Sequence, residues 1–332
     1  MSRLHQALIA GVVVQLILIA WVFWPHPASG GGSGAPVLGD LKPEDVAAFT
    51  ITDEQGQRIK VARTQGGWAL PDAGDYPVIE GKAATLLSKL AGLRAERPVT
   101  QTRDSHRRLK VAEDEFMRRI DLQAADGATT TLYIGSPAAG VGVHLRAASH
   151  DEVYLASDLN LSELDAAPAS WVDPLYFSLK PDGVISMTLK NANGEWAFAK
   201  GPQGDWSMQG QAPGETLDPG KVTELLSRVT SVSLMRPLGK SDEPGYGLAQ
   251  PSVVVAIQAQ GAGESKVHTL MFGAKEGDGS VALKSSDSPY YVRVAPYVAE
   301  GLSSMTRAGF LLQATATPGA GNAAGTPVPA SQ

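Results

Sequence analysis

Short stretches of the chain alternate between hydrophobic and polar residues, and two longer stretches carry hydrophobic residues at helical spacing. Residues 46–52 and 58–63 alternate, which predicts a hairpin with its turn at residues 53–56. Residues 82–93 have apolar side chains three and four positions apart, which predicts an amphipathic helix. Further strands are predicted at residues 118–123, 129–134, 142–146 and 152–156, and a short helix at residues 157–164.

The second half of the chain repeats this pattern at a nearly constant spacing. Leu41-Lys42-Pro43 matches Leu179-Lys180-Pro181, and Trp68 matches Trp206, both at a spacing of 138 residues. Further matches in the same order are Arg97-Pro98 with Arg236-Pro237, Tyr133-Ile134-Gly135 with Met271-Phe272-Gly273, and Val153-Tyr154 with Tyr290-Tyr291. Many ordered matches with a drift of about one residue predict a tandem duplication.

The repeat predicts an α+β fold with two similar units. Each unit is expected to be an antiparallel sheet with a helix packed on one face, and the pair follows one N-terminal transmembrane helix. In the second unit, helices are predicted at residues 219–229 and 296–305. The predicted organisation is a cytoplasmic N-terminus (1–6), a transmembrane anchor (7–24), a flexible linker (25–38), a first repeat (39–176), a second repeat (177–312) and a disordered tail (313–332).

The predicted anchor is a run of eighteen residues, 7–24, in which Gln15 is the strongly polar interruption. As a helix it would span roughly 27 Å, close to the hydrocarbon core of a bilayer. Trp21 and Trp24 stand where an interfacial aromatic belt would lie, and Gln15 could hydrogen-bond a neighbouring helix. The run therefore predicts a membrane anchor.

Charge beside the anchor predicts its orientation. Arg3 precedes it, and no further Lys or Arg occurs until Lys42. This asymmetry favours a single-pass membrane protein with a cytoplasmic N-terminus and an extracytoplasmic body, which in a bacterium means the inner membrane and the periplasm. A cleaved signal peptide is the alternative. The bulky end of the run, Trp-Val-Phe-Trp-Pro, favours an uncleaved anchor, because a cleavage site needs small residues.

Several motifs of the repeat are specific enough to suggest a family. An L-x-P-x-D/E-V start, an x-W-x-L strand, a G-K-x-x-x-L-L-x-x-L helix, a Tyr-Gly-Leu turn and a V-Y strand recur over about residues 39–310. The chain resembles a bacterial family of membrane-anchored tandem-repeat proteins of unknown function, often encoded beside gliding-motility-type ABC transporter auxiliary proteins. The second unit has the turn as Tyr246-Gly247-Leu248, whereas the first unit has Arg107-Arg108-Leu109 there. An altered turn is therefore expected in the first unit.

Composition and motifs argue against several functions. The chain has no Cys, which excludes disulfides and thiolate metal sites, and its net charge of −6 gives no footprint for nucleic-acid binding. The six His form no H-E-x-x-H motif, and His144 and His150 are interpreted as ordinary surface residues rather than metal ligands. No phosphate-binding loop or nucleophile elbow occurs. We therefore predict no enzymatic activity, no catalytic residue, no metal and no cofactor.

Basic residues cluster in the linking segment of the first unit. The predicted partner-binding residues are Arg103, Arg107, Arg108, Lys110, Arg118 and Arg119. Two interpretations remain open: a solvated loop balanced by the acidic run 113–115, or a docking patch for an acidic partner or for anionic lipid headgroups. Trp68 and Trp206 are interpreted as core packing residues rather than as a ligand platform.

The resulting hypothesis is a membrane-anchored periplasmic interaction or scaffold protein without enzymatic activity. The family resemblance implies an accessory role to an ABC-type transporter or another envelope machine. The expected partners are the inner membrane and an envelope protein, with no nucleic acid and with the question of a small-molecule ligand open. The alternative is a periplasmic module that binds glycan or lipid in a groove between the repeats.

Overall fold

The structure, a computed structural model, describes residues 34–138, 140, 142–260 and 264–312. These residues form two eight-stranded antiparallel sheets, two short two-stranded sheets and four α-helices. The helices are α1 (Lys82–Gly92), α2 (Arg103–Arg108), α3 (Pro219–Thr230) and α4 (Pro296–Ser303).

Each half of the described chain contributes ten strands. The first ten are β1 (Ala35–Pro36), β2 (Val46–Asp53), β3 (Arg58–Thr64), β4 (Gly67–Leu70), β5 (Tyr76–Pro77), β6 (Arg94–Ala95), β7 (Arg118–Ala124), β8 (Thr129–Ala138), β9 (Gly142–Ala147) and β10 (Tyr154–Ala156). The next ten are β11 (Leu175–Ser178), β12 (Val184–Asn191), β13 (Gly194–Lys200), β14 (Trp206–Met208), β15 (Ser231–Ser233), β16 (Arg236–Gly239), β17 (Val253–Gln260), β18 (Ser265–Lys275), β19 (Val281–Ser285) and β20 (Tyr291–Val294).

The described chain divides into two compact units. The first unit contains residues 34–68 and 80–167, and the second contains residues 69–79 and 168–312. Residues 69–79 include most of β4 and all of β5, so the second unit begins with a segment that lies within the sequence of the first repeat.

The order of strands confirms the tandem sheet repeat. The first large sheet runs β10-β9-β8-β7-β2-β3-β4-β5, and the second runs β20-β19-β18-β17-β12-β13-β14, with β16 beside β20. Seven strands therefore keep one order in both sheets. The extra strand lies at opposite edges: β5 beside β4 in the first sheet, and β16 beside β20 in the second.

Irregularities in the sheets repeat as well. The pairing of β2 with β7 shifts register between Val46 and Ala48, and that of β12 with β17 shifts between Val184 and Ser186. A second shift, in strands β8 and β18, begins at Ile134 and at Phe272. Both pairs of shifts are 138 residues apart, the spacing of the sequence repeat. Because a bulge re-aims the strand that carries it, shared bulges make the two sheets similar in shape as well as in order.

The predicted amphipathic segments form the expected elements. Helix α1 buries Ala83, Leu86, Leu87 and Leu90, which share one face at helical spacing. Helix α4 lies against the central strands β12 and β17 of the second sheet. The hairpin predicted at the start of each unit is confirmed as β2–β3 and β12–β13. The broad prediction of antiparallel sheets with few helices is therefore confirmed.

The two matched tryptophans do not form the centre of either core. Trp68 and Trp206 are only half-buried, and Trp206 lies in β14, which ends its sheet. The Trp68 ring contacts the buried Phe49 ring, with 5.7 Å between their centroids. The Arg63 guanidinium lies 4.9 Å from the Trp68 ring centroid. Among the tryptophans that the structure describes, Trp171 is fully buried and Trp196 is 7% exposed, and the repeat pattern indicated neither. For Trp206 the edge position explains the exposure, because a strand with one neighbour covers only part of a large ring.

Some predictions concern residues outside the described ranges. The anchor at residues 7–24, with Gln15, Trp21 and Trp24, and the tail at residues 313–332 lie there. Among the helices that the structure does describe, none combines the length and the apolar character needed to cross a membrane.

Candidate functional site

The six basic residues predicted to bind a partner separate into different environments. Arg103, Arg107 and Arg108 lie on helix α2, and Lys110 follows two residues later. The other two occupy adjacent positions of β7, where successive side chains point to opposite faces of a sheet. The sequence cluster is therefore a helical group plus two strand residues.

The two strand residues are bound within the first unit. Arg118 donates through Nε to the carbonyl of Leu164 at 2.8 Å and through Nη1 to the carbonyl of Met117 at 2.7 Å. Arg119 donates through Nε to the Asp121 carboxylate at 3.0 Å. Arg118 therefore uses two of its three nitrogens inside the unit, and Arg119, whose side chain is 40% exposed, has its charge paired with Asp121.

Helix α2 presents the more available cations. Arg107 forms an ion pair with Asp114, and both side chains are more than half exposed. Arg103 and Arg108 are exposed, and neither makes an ion pair with any residue in the described ranges. The sequence pattern predicted a linking segment instead of a helix at these residues, because the helix has only six residues and no apolar stripe. A weak signal was Thr102 before it, whose Oγ1 lies 2.8 Å from Ser105 Oγ.

The turn after α2 keeps its geometry, contrary to the expectation of an altered turn. Lys110 has φ of 56°, and Gly247 in the second unit has φ of 67°. Lys110 N donates to Arg107 O at 3.0 Å, and Gly247 N donates to Pro244 O at 3.3 Å. Leu109-Lys110-Val111 is therefore the counterpart of Tyr246-Gly247-Leu248, and the pairing of Arg108 with Gly247 was wrong by two residues. A lysine thus occupies a left-handed position that favours glycine.

A close backbone contact, made in both units, confirms which residues of the two turns correspond. A Cβ on Gly135 would lie 2.0 Å from Leu109 O, and a Cβ on Gly273 would lie 1.9 Å from Tyr246 O. In both units the turn therefore presses against a glycine at the bulge of a long strand. In the first unit, Ser136 N donates to Leu109 O at 2.9 Å, which ties the segment after α2 to β8.

The segment after α2 covers a small second hydrophobic cluster. Val111, Tyr133 and Val153 are buried there, and Leu109 and Phe116 pack against them. Tyr133 pairs across the sheet with Arg119 on one side and Arg146 on the other, so the three side chains share one sheet face. This face carries both the cluster and the charged groups beside it.

Arg146 is a buried cation on that face, 7% exposed. It donates through Nε to Val111 O at 2.9 Å and through Nη1 to His150 O at 3.0 Å, and its guanidinium lies 4.9 Å from the Tyr133 ring centroid. In the second unit Lys284 takes the same place. It donates to the carbonyls of Ser285, at 2.8 Å, and Ser288, and it lies 5.4 Å from the Tyr291 ring centroid.

The matched cations hold the turn between two strands in each unit. His150 and Ser288 are equivalent in the repeat, so both units satisfy the same carbonyl with a positive charge, which is buried on Arg146 and half-buried on Lys284. Burial lowers the pKa of Lys284, since the surroundings disfavour its charged form. Arginine keeps its charge at any physiological pH and carries an additional nitrogen, Nη2, which has no hydrogen-bond partner among the described residues.

A cleft of about 570 Å³ opens beside Arg146 in the first unit. Helix α2 contributes Arg103, His106 and Arg107, and the sheet contributes Tyr133 and Arg146. Acidic side chains complete the lining: Glu113, Asp114 and Asp151. Its volume is within the range of ligand sites in proteins.

Two cleft residues are positioned by the fold. His106 is 5% exposed, and its Nε2 lies 2.7 Å from the carbonyl oxygen of Asp151, which joins α2 to the loop before β10. Tyr133 is 4% exposed, and its hydroxyl has no hydrogen-bond partner among the described residues. Burial is the main cause that raises the pKa of Tyr133, and Arg119 opposes it.

The histidines singled out in the sequence are occupied by local contacts. His144 Nδ1 lies 2.7 Å from the carbonyl of Ser136, and His150 Nδ1 lies 2.8 Å from Ser149 Oγ. Throughout the described part of the chain, no three or more His, Asp or Glu side chains are grouped so that they could hold a metal ion.

The fold and the site define the chain as a duplicated antiparallel-sheet protein with a mixed-charge cleft in its first unit. The family described as "Domain of unknown function (DUF4340)" matches residues 68–251, more than half of the chain, and the chain belongs to that family. The match begins at Trp68 in the first sheet and ends just before β17 in the second. No curated protein and no solved structure matches the chain.

Proposed function

We propose that the chain is a membrane-anchored periplasmic interaction protein without enzymatic activity, whose helix α2 binds an acidic segment of an envelope protein. The apolar run at residues 7–24 and the charge asymmetry around it support the anchor and its orientation. A tethered body would meet membrane partners at a raised effective concentration. The family resemblance makes subunits of an ABC-type transporter the first partners to examine.

The observation that carries this proposal is the pair of exposed, unpaired cations on α2. Arg103 and Arg108 have no ion-pair partner within the described ranges, and Arg107 has only the exposed Asp114. Exposed ion pairs contribute about 0–1 kcal/mol, so a partner carboxylate can replace Asp114 at little cost. Arginine is suited to this because its planar fork binds carboxylates in a bidentate manner.

The second unit lacks this basic surface at the equivalent place. The turn before Gly247 is a single 3₁₀ turn, Pro244–Tyr246, and the residues before it are Asp242 and Glu243. Two units of one ancestry thus carry opposite charge at the same position of the fold. This asymmetry favours recruitment by the first unit, since complementary charge chiefly governs specificity and association rate.

The test is recovery of partners from native bacterial membranes with the tagged full-length chain. We expect Arg103→Gln with Arg108→Gln to lower recovery of the partner about tenfold, and the wild-type interaction to weaken as salt is raised. The matched control is Arg58→Gln with Lys60→Gln, which removes two exposed cations from β3 of the same unit.

Each outcome bears on the proposal. Equal recovery with both double variants would contradict it. Loss of binding to anionic liposomes together with unchanged recovery of proteins would also contradict it, in favour of lipid headgroups as the ligand of α2. A purified chain that hydrolyses a peptide or polysaccharide would refute the non-enzymatic assignment.

A further inference from the structure

The cleft of the first unit contains charges of both signs that have no ionic partner. Arg107 and Asp114 neutralise each other. Of the other lining residues, Arg103 and Arg146 are positive and Glu113 and Asp151 are negative, and none of these four makes an ion pair with another described residue. Two cations and two anions therefore face one cavity without being paired.

Arg146 shows that the unpaired charges are more than a solvated surface. It is more than nine-tenths buried, and its hydrogen bonds go to neutral carbonyls. A buried guanidinium is normally paired with a carboxylate or another anion. The cleft beside it is the place from which an anion could approach the free Nη2.

Tyr133 provides an independent sign of a ligand. The residue is 4% exposed and lines the same cleft, and its hydroxyl makes no hydrogen bond within the described part of the chain but is not a fully buried atom, so it is open to the cleft. A phenol hydroxyl that is open to a cleft and makes no bond to the protein can donate to a ligand there. An unused donor next to an unneutralised cation fits an oxyanion that accepts from both.

We propose that this cleft binds a small zwitterion, with Arg146 and Tyr133 holding its acid group and Glu113 and Asp151 holding its ammonium group. Two sources share this chemistry: a free amino acid or short peptide, and an aminoalkyl phosphate such as a lipid headgroup. Arg103 also lines the cleft, and its positive charge offsets the second of the two carboxylates. The exposed Arg107–Asp114 ion pair lies beside it and is neutral overall. The site goes beyond the proposed partner docking and does not require it.

The second unit suggests the most informative substitution, because it has a lysine at the position of Arg146. Lys284 holds the equivalent turn in the second unit through the same carbonyl positions that Arg146 uses. Arg146→Lys should therefore keep the turn and the charge but remove the second arm of the fork. Tyr133→Phe removes only the hydroxyl and keeps the ring contacts.

The experiment is calorimetric titration of the full-length chain in detergent with four probes. L-alanyl-L-alanine and O-phosphoethanolamine carry both charges, succinate carries only acid groups, and putrescine carries only amines. We expect one zwitterion to bind at least tenfold more tightly than succinate and putrescine, and the preferred zwitterion identifies the source. Arg146→Lys and Tyr133→Phe should each weaken it about tenfold. The melting temperature should stay unchanged in Tyr133→Phe and fall by a few degrees in Arg146→Lys, which also loses the Nε bond to Val111 O.

Arg108→Gln separates this proposal from the proposed function, because Arg108 lies on α2 but not in the cleft lining. Arg108→Gln should leave the affinity for the zwitterion unchanged and lower recovery of the partner. Arg146→Lys should lower the affinity for the zwitterion and leave recovery of the partner unchanged. Absence of binding by both zwitterions would overturn the inference. So would succinate binding as tightly as the zwitterions, or both cleft variants binding as well as the wild type.

Discussion

Substituting Gly135 by alanine tests the close approach on which the cleft is built. The new Cβ would lie 2.0 Å from Leu109 O, whereas ordinary contacts of this kind are 3.4–4 Å, so the two backbones must separate by about 1 Å or more. Separation breaks the 2.9 Å hydrogen bond from Ser136 N to Leu109 O, which is worth about 1 kcal/mol.

The same separation opens the cluster around Val111, which is fully buried. Losing most of the burial of one valine costs about 1.5–3 kcal/mol. We therefore expect Gly135→Ala to lower the free energy of unfolding by about 2.5–4 kcal/mol. For a unit of this size that corresponds to a fall of roughly 10 °C in melting temperature.

The assay is thermal and urea unfolding of the full-length chain followed by circular dichroism. Gly92→Ala is the matched control, because Gly92 is the last residue of α1 and a Cβ there meets nothing within 4 Å. That substitution should be neutral or should stabilise by about 0.5–1 kcal/mol. If Gly135→Ala melted within about 2 °C of the wild type, the assignment of Leu109 to the turn against β8 would be refuted.

Two further predictions concern the hairpin turn and acid stability. Asp53 accepts two backbone N–H bonds, at 3.0 and 2.8 Å, in a nearly buried turn, so Asp53→Ala should cost about 1–2 kcal/mol in urea unfolding. Asp126→Ala, which removes one exposed bond, should cost clearly less, and equal losses would contradict the argument. The Arg307 guanidinium lowers the pKa of Glu215 from 4.5 to about 2, so its stabilisation is present above pH 4.5 and is lost as pH falls towards 2. Arg307→Ala should flatten the melting temperature between pH 4.5 and 2, and a slope identical to the wild type would argue against this pair.

The basic cluster shows how far sequence reasoning reached at the site. It found six cations close together in the chain, but strand geometry places Arg118 and Arg119 on opposite faces, where their own unit binds them. The cleft also depends on Tyr133 and Arg146, which are adjacent only because β8 and β9 pair in register. Such pairing joins residues that are distant in sequence, so no local pattern could indicate it.

Alternation of apolar and polar residues, helical spacing in residues 82–93 and a repeat of 138 residues were enough to determine two similar antiparallel-sheet units. These features depend on short-range order along the chain, which a sequence displays directly. The tertiary structure decided which backbone positions meet, and thereby showed that Lys110, not Arg108, takes the place of Gly247. It also decided which charges are neutralised and which face the cleft, because burial and pairing depend on contacts between distant strands rather than on residue type.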